Sequence, residues 1–396
     1  MLFNHLFPLD SRPLLGEFIS NQLIPDKCAM LIFDNGINKM SCNFGSFDSK
    51  FEILTISENR SFSFLTPENA RISLMNQGEC LVEYSCCLEL DTQIVSYLAR
   101  LLSGKELQND IKTGMNTLVK LLKQTQYDYS CFPYSFENSI KIETNKSEMF
   151  DTLLYFELFK NNVHIDSENH VLKETILSEY SELAKKDVDS CSEVANSEEC
   201  GYLYDIYKTI YCMLLETIII EFSSKSSLEK KLISLFDFIN NKLGAYLERE
   251  IAVCYGYLKK VHDIRDVFFK NAQKNSHKLL ANLRGMAWDL THIRMLEYLT
   301  AVDISMMNSL FFHYLVSFDK GLRIVLKYYP VDRILFYKTT TYVKFKYPIY
   351  DFIKEIDIKS NLSENIESRR ALLTNINLDK LIETLEQQLL DLQNSP

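Results

Sequence analysis

Glycine and proline are scarce in this chain, which has 11 glycines and 8 prolines among 396 residues. Together the two residue types make up roughly 12% of average soluble proteins. Because both interrupt regular structure, their scarcity predicts long uninterrupted elements and a largely helical chain. With 46% hydrophobic and 24% charged residues, the composition excludes a disordered polymer and fits one large or two ordinary domains.

Patterns of export, membrane insertion and zinc binding are also missing. Residues 1–15 have no positively charged segment ahead of an apolar one, so no signal peptide is expected. The most apolar window, 206–222, contains charged residues and is too short to span a bilayer. The ten cysteines include no CxxC pair, and HExxH is absent, so no structural zinc site is expected. We therefore expect a cytoplasmic protein with reduced, buried cysteines and no membrane partner.

Negative charge predominates, with 43 lysines and arginines against 53 acids and a net charge of −10. This balance argues against nonspecific nucleic-acid binding, because phosphates must be met by cations. The charge is uneven, however. Segment 255–347 has 15 lysines and arginines against 7 acids, a net +8, and the remainder is −18. Aromatic residues among these cations can stack on unpaired bases, so the segment predicts a phosphate-binding groove. Solvated helix faces and core aromatics are the alternative.

The apolar pattern divides the chain into five parts. Residues 1–80 form a β-rich N-terminal extension. Residues 81–144 begin with an apolar strand, 81–90, that leads into two helices, and 145–283 is a helical block with a loop at 185–199. Residues 284–347 alternate helix and strand as a parallel α/β sheet does. Residues 348–396 form a helical tail whose leucines repeat at heptad spacing, either docking on their own domain or contacting a regulatory protein or a second copy.

Four carboxylates stand where these elements favour a shared site. Asp91 directly follows the first strand, and Asp319 follows the strand 311–317. Ligands of open α/β sheets bind at the carboxyl ends of strands. Glu137 and Asp289 lie beside bulky apolar residues. Carboxylates gathered there would repel one another, and Mg²⁺ or Mn²⁺ would relieve that repulsion while leaving room for phosphate and water. A helix N-cap is the alternative for each strand-end acid.

Local patterns around these acids resemble the PIN-domain nucleases. Residues 90–96 (LDTQIVS) resemble the family's DTN-type opening, 287–290 (AWDL) its helical acid, and 316–322 (VSFDKGL) its S/T-x-D-x-x-L motif. Glu137 matches the family's second acid. Two departures stand out: Gln93 replaces the usual asparagine, and a long segment separates Glu137 from Asp289 where compact members have only a few helices.

The resemblance implies a Rossmann-like α/β/α core with a parallel sheet, built from 81–144 and 284–347 around a helical insertion at 145–283. It implies metal-dependent RNA cleavage, with Asp91, Asp289 and Asp319 as Mg²⁺ or Mn²⁺ ligands and Glu137 as a fourth catalytic acid. The expected supporting residues are Thr92, Gln93 and Ser317, and the expected nucleic-acid-binding residues are Lys278, Arg284, Arg294, Lys320 and Arg323. A toxin or defence role is expected by analogy. Cleavage of single-stranded DNA and non-catalytic binding or assembly are the alternatives.

Overall fold

A computed structural model describes residues 28–33, 51–57, 62–66, 84–124, 127–163, 174–195, 197–307, 310–337 and 340–394. Most of the predicted N-terminal extension lies outside these ranges. Within them, no helix combines the length and the apolar character needed to cross a bilayer. The apolar window 206–222 instead belongs to a helix that is largely buried in the protein.

The strands form two four-stranded sheets. In chain order they are β1 (Cys28–Ile32), β2 (Glu52–Leu54), β3 (Ser63–Leu65), β4 (Tyr84–Leu90), β5 (Asp128–Ser130), β6 (Leu310–Ser317), β7 (Val331–Tyr337) and β8 (Thr340–Phe345). Sheet I has the order β3-β1-β7-β8 and is antiparallel throughout. Sheet II has the order β2-β6-β4-β5, in which β6, β4 and β5 are parallel and β2 is antiparallel to β6. Phe62 stacks on Phe312 with ring centroids 4.2 Å apart, which joins the two sheets.

Helices make up most of the remainder, and in chain order they are α1 (Thr92–Leu102), α2 (Asn109–Gln124), α3 (Phe132–Ser139), α4 (Ile142–Lys160), α5 (Glu174–Ala195), α6 (Glu198–Ser223), α7 (Leu228–Phe238), α8 (Glu248–Leu258), α9 (Leu279–Met307), α10 (Lys320–Tyr328), α11 (Ile349–Phe352), α12 (Ile358–Glu364), α13 (Ile366–Asn375) and α14 (Leu378–Asn394). Short π-helical segments occupy Ile239–Leu243 and Ile264–Phe268. The expected mixed α/β, largely helical class is confirmed.

Two predictions about local structure are wrong. The alternation of helix and strand at 284–347 does not continue one parallel sheet, because β7 joins sheet I as the antiparallel neighbour of β1 and β8. The segment 185–199 is not a loop, because α5 runs to Ala195 and α6 begins at Glu198. Its polar composition concealed one apolar stripe, Ala184, Val188 and Cys191, which is buried at helical spacing.

The C-terminal helix docks on its own chain. Leu385 and Leu389 of α14 are buried, and α14 packs against α6. The Tyr211 hydroxyl on α6 donates to Glu386 at 2.6 Å, and the Lys208 ammonium lies 2.8 Å from the Asp379 carboxylate. Of the two alternatives for the heptad seam, the structure therefore shows the intramolecular one. The central leucines of α14 are not available to a partner or a second copy.

Cysteine chemistry departs from expectation at one position. Cys86 is disulfide-bonded, so the prediction of reduced cysteines is wrong for this residue. Cys191, Cys212 and Cys254 carry buried thiols and follow the prediction, whereas the Cys131 thiol is only partly buried. Disulfides are rare in a reducing cytosol, so this bond lends no support to a cytoplasmic location.

A buried ionic network joins α8 to α9. Arg249 and Arg294 each donate to one oxygen of Glu297, both at 2.9 Å. Arg294 also donates to Glu250 at 2.8 Å. All four side chains are almost fully shielded from solvent, and the two positive charges balance the two negative ones. Removal of any one of these side chains would leave an uncompensated charge in a low-dielectric interior, which is strongly destabilising.

We expect Arg249→Met to destabilise the protein by about 3–5 kcal/mol, since it leaves one buried carboxylate charge uncompensated. Urea denaturation would measure the loss. The matched control is Lys146→Met, which breaks an exposed pair with Asp189 at 3.2 Å and should cost at most about 1 kcal/mol. Equal small effects for the two variants would contradict the importance of the network.

Candidate functional site

The strand order of sheet II creates a crevice at its carboxyl edge. After β4 the chain adds β5 on one side, and it later returns to the other side with β6. The order of the parallel strands therefore reverses between β4 and β6, which is where open α/β sheets bind ligands. Asp91 follows β4, Asp319 lies two residues beyond β6, and Glu137 is on α3, which follows β5. Three of the four predicted acids thus belong to this edge.

Asp91 is buried where β4 passes into α1. Its backbone N–H donates to the Val316 carbonyl at 3.1 Å, and its carboxylate accepts from the Ile94 N–H at 2.7 Å. The Ser317 hydroxyl is a further hydrogen-bond partner of this carboxylate. Since Ser317 also accepts from the Asp319 N–H at 2.9 Å, this fully buried serine links the two strand-end acids. The predicted supporting role of Ser317 agrees with these contacts.

Asp319 begins α10. Its Oδ1 accepts from the Gly321 N–H at 2.5 Å, so Asp319 is an N-cap, as Asp91 is for α1. The N-cap alternative is therefore correct for both residues. It does not exclude a ligand site, because each cap bond uses one carboxylate oxygen and a carboxylate has two.

Glu137 and Asp289 complete the predicted set. The Thr92 hydroxyl donates to Glu137 Oε2 at 2.5 Å, which makes Thr92 a support of Glu137. Asp289 is partly buried on α9. Its carboxylate feels the negative charges of Asp319, Asp91 and Glu137. The charges of all four predicted acids therefore interact, although the acids lie on or beside separate elements.

The pKa values of Asp91, Glu137 and Asp289 are raised. Burial raises the pKa of Asp91 to about 7, with smaller contributions from the charges of Glu137 and Asp319, and with hydrogen bonds from Ser317 and Ile94 opposing them. Burial, followed by repulsion from the other three acids, raises the pKa of Asp289 well above its ordinary value. Burial also raises the pKa of Glu137. The site therefore resists full ionisation unless a cation compensates it.

The four predicted acids offer only oxygen ligands, which suits a hard cation such as Mg²⁺ or Mn²⁺. They do not form a tight cage. In the part of the chain that the structure describes, the group whose ligand atoms all lie within 4.8 Å of one another is Cys87, Glu89 and His313. Mg²⁺ binds through one or two carboxylates and keeps several waters, so the wider spacing of the four acids fits a hydrated ion.

His292 is a member of this site that sequence reasoning missed. Its Nε2 lies 3.9 Å from Glu137 Oε2 and has no hydrogen-bond partner. Burial lowers the pKa of His292 to about 4, so the ring is neutral at physiological pH. A signal was present, because Asp289 and His292 are three residues apart and therefore share a helix face. Trp288, next to Asp289, stacks on Tyr207 with ring centroids 4.2 Å apart, which fixes this turn of α9.

The lysines and arginines predicted to bind nucleic acid differ in their surroundings. The prediction for Arg294 is wrong, because its guanidinium is buried and paired with Glu250 and Glu297. Arg284 and Arg323 are exposed, but they pair with Glu386 at 2.7 Å and Glu52 at 3.0 Å. Lys278 and Lys320 are exposed, and Lys320 directly follows Asp319. Gln93 is exposed on the first turn of α1.

Most aromatic residues in the basic segment are core residues. Phe268, Phe269, Tyr329 and Phe345 are buried, so the alternative of core aromatics is correct for these four residues. They pack against one another and against the helices. Tyr347, at the end of the segment, is exposed, and the Lys346 ammonium lies 5.8 Å from its ring centroid.

Comparison with protein-family models, with curated proteins and with solved structures finds no match to this chain. The resemblance to PIN nucleases therefore depends on the motifs around Asp91, Asp289 and Asp319. The geometry of the acids carries the functional argument.

The raised pKa of Asp91 makes stability depend on pH. Between the ordinary carboxyl pKa of 3.8 and about 7, the folded state holds a proton that the unfolded state has lost, so stability falls as pH rises through this window. Asp91→Asn should remove this contribution and raise the melting temperature at pH 8 in a chelating buffer. Thermal unfolding of both proteins from pH 4 to pH 8 would measure the difference.

The same series in Mn²⁺ provides the control. A bound cation should restore the stability of the wild type at pH 8 and leave Asp91→Asn with a smaller gain. Parallel stability curves for the two proteins across the whole range would contradict a strained Asp91 carboxylate.

Gly321 is under close steric constraint from the Asp319 cap. A Cβ atom at this position would lie 2.8 Å from Asp319 Oδ1 and 3.0 Å from Phe268 Cδ2. We expect Gly321→Ala to displace the cap and destabilise the protein by about 1–2 kcal/mol. Gly285→Ala on α9 is the control, because its Cβ meets nothing within 4 Å and should stabilise by about 0.5–1 kcal/mol. Melting temperatures that rise for both variants would contradict the constraint.

Proposed function

We propose that this chain is a metal-dependent endoribonuclease with a PIN-like core. The observation that carries the proposal is the electrostatic interaction of four carboxylates: Asp91, Glu137 and Asp319 at the switch point of a parallel sheet, and Asp289 on α9. The raised pKa values of Asp91, Glu137 and Asp289 are the expected state of a cation site without its ion. The motif resemblance supports the same activity.

Asp91, Asp289 and Asp319 would hold Mg²⁺ or Mn²⁺. When bound, the cation supplies a water of lowered pKa and stabilises charge on the phosphoryl oxygens. Glu137, fixed by Thr92 at 2.5 Å, orients the attacking water. His292 stays neutral because it is buried, so it adds no positive charge that would compete with the cation. Ser317 keeps Asp91 and Asp319 in their relative positions.

RNA is the proposed substrate, with single-stranded DNA as the alternative. Lys320 is exposed and directly follows Asp319, so it can meet a backbone phosphate beside the site. Lys278 is exposed just before α9, eleven residues from Asp289, and can meet a phosphate farther along a bound strand. By analogy with PIN nucleases we propose a toxin or defence role in the cytoplasm, with the helices of 145–283 as a lid or regulatory surface.

A non-catalytic role is the second candidate. The observation that favours it is the absence of a tight ligand cage among the four acids within the described residues. In that case the edge of sheet II would bind nucleic acid or a partner without hydrolysing it. Cleavage assays separate the two candidates.

The test is cleavage of end-labelled RNA and single-stranded DNA in Mg²⁺ or Mn²⁺. We expect the wild type to cleave RNA, and Asp289→Asn and Asp319→Asn to reduce the rate by about 100-fold or more, because each removes a group needed in the transition state. The matched control is Asp237→Asn, an exposed acid on α7, which should cleave at the wild-type rate. Chelation with EDTA should abolish cleavage.

The outcomes differ in what they reject. Cleavage that persists in both site variants would reject the proposed residues. Cleavage of single-stranded DNA but not of RNA would reject RNA as the substrate in favour of DNA. Nucleic-acid binding by the wild type without cleavage in either metal would reject the enzyme and favour the non-catalytic role.

A further inference from the structure

A second group of ligand-type side chains lies inside sheet II. Cys87 and Glu89 alternate along β4 and therefore point to the same face. His313 on β6 is the direct register partner of Cys87, so it shares that face. The three side chains are 6%, 2% and 5% exposed, and one ligand atom of each lies within 4.8 Å of the others.

The positions of these donors are fixed by the sheet and by hydrogen bonds. Glu89 Oε1 lies 2.8 Å from His313 Nδ1, and Glu89 Oε2 accepts from the Ser130 hydroxyl at 2.8 Å. Ser130 in turn accepts from the Phe132 N–H at 3.0 Å. Ser130 is the register partner of Glu89 on β5. Three paired strands therefore hold the group, and Ser130 is the kind of outer partner that orients a ligating carboxylate.

The donor set is one sulfur, one nitrogen and one carboxylate oxygen. This combination suits Zn²⁺ better than Mg²⁺, because thiolate and imidazole are softer ligands than the oxygens that Mg²⁺ prefers. A thiolate and a carboxylate also cancel the charge of a divalent ion, so the occupied site would be neutral in a low-dielectric interior. Three protein ligands leave one position of a zinc tetrahedron for another donor.

We propose that Cys87, Glu89 and His313 form a Zn²⁺ site that ties β4 to β6 beneath the carboxylate edge. A water would complete the coordination. Binding displaces the thiol proton of Cys87 and any proton on His313 Nδ1, both of which go to solvent, and the ion takes their place without any redox change. The sequence offered no local signal, because Glu89 and His313 are 224 residues apart and meet only through parallel pairing.

Ser130, the hydrogen-bond partner of Glu89, lines a cavity of about 250 Å³ between α3, α4 and α5, together with Phe132, Leu153, Phe156 and Cys191. A cavity of that size admits several waters, so water can approach this outer partner of Glu89, although none of the three proposed ligands lines the cavity. This proposal stands apart from the proposed nuclease activity, since none of the four acids is a ligand.

The test uses the full-length protein, reduced, stripped with a chelator and titrated with Co²⁺ as a spectroscopic substitute for Zn²⁺. We expect one equivalent of Co²⁺ to develop a sulfur-to-cobalt charge-transfer band and the strong visible bands of tetrahedral Co²⁺, all removed by adding Zn²⁺; Co²⁺ bound at the all-oxygen carboxylate edge would give no such charge-transfer band. Cys87→Ser should lose the charge-transfer band. Glu89→Gln and His313→Gln should weaken binding by at least about 10-fold.

Two control variants separate this site from the rest of the molecule. Cys212→Ser changes a different buried thiol and should leave the cobalt spectrum unchanged. Asp319→Asn changes the carboxylate edge and should also leave it unchanged, so a failed nuclease assay and a failed zinc site give different results. Absence of stoichiometric binding by the wild type, or a charge-transfer band that survives Cys87→Ser, would overturn the proposal.

A measurement on the wild type alone covers the case in which the variants do not fold. X-ray absorption at the zinc edge should show one sulfur at about 2.3 Å and lighter ligands at about 2.0–2.1 Å. A shell made only of oxygen and nitrogen would reject Cys87 as a ligand and with it the proposed site.

Discussion

The parallel pairing of β4 with β6 is the interaction on which the rest of the structure depends. Seven residue pairs, from Tyr84 with Leu310 to Leu90 with Val316, join segments more than two hundred residues apart. Closing so long a loop is entropically unfavourable, and parallel strands need a crossover connection. The helices between them compensate by burying apolar surface. Without this pairing Asp91 would not meet Ser317, and Cys87 would not meet His313.

Buried charge in this protein is handled in two different ways. The network of Arg249, Arg294, Glu250 and Glu297 contains two charges of each sign, so its Coulomb attraction offsets desolvation. Among the described residues no lysine or arginine forms an ion pair with the four acids of the carboxylate edge, and burial followed by mutual repulsion raises the pKa values of Asp91 and Asp289. The α8–α9 interface shows that arginine can neutralise buried carboxylates in this fold. The lack of such partners at the edge supports the proposal that the edge binds a cation.

Local signals in the sequence were sufficient to predict that Asp91 and Asp319 lie at junctions between a strand and a helix. Each is an acid placed at the end of an apolar run and directly before a helix, and backbone geometry at that junction leaves few alternatives. The pairing of β1 with β7 was beyond such reasoning, because nothing in 331–337 distinguishes a parallel from an antiparallel neighbour. The prediction that Arg294 binds nucleic acid failed for a related reason. A count of cations cannot distinguish a solvated guanidinium from one that is paired with Glu250 and Glu297, which lie on two different helices. Glu137 and Asp289 could be placed only through the resemblance.

The strand β4 and the residue that follows it therefore offer two kinds of metal-ligand atom. Within the pleat of β4, Cys87 and Glu89 share a face with His313, where a thiolate and an imidazole favour a softer ion. Two residues later the strand has ended, and the side chains that act on Asp91 are those of Ser317, Glu137 and Asp319, all with oxygen groups, which favour Mg²⁺ or Mn²⁺ as ligands. Because the ligand chemistry differs between these two places, they would select different ions from the same solution. The inner ion would then fix the β4–β6 register that the outer carboxylates require, so structural and functional metals would have separate ligands.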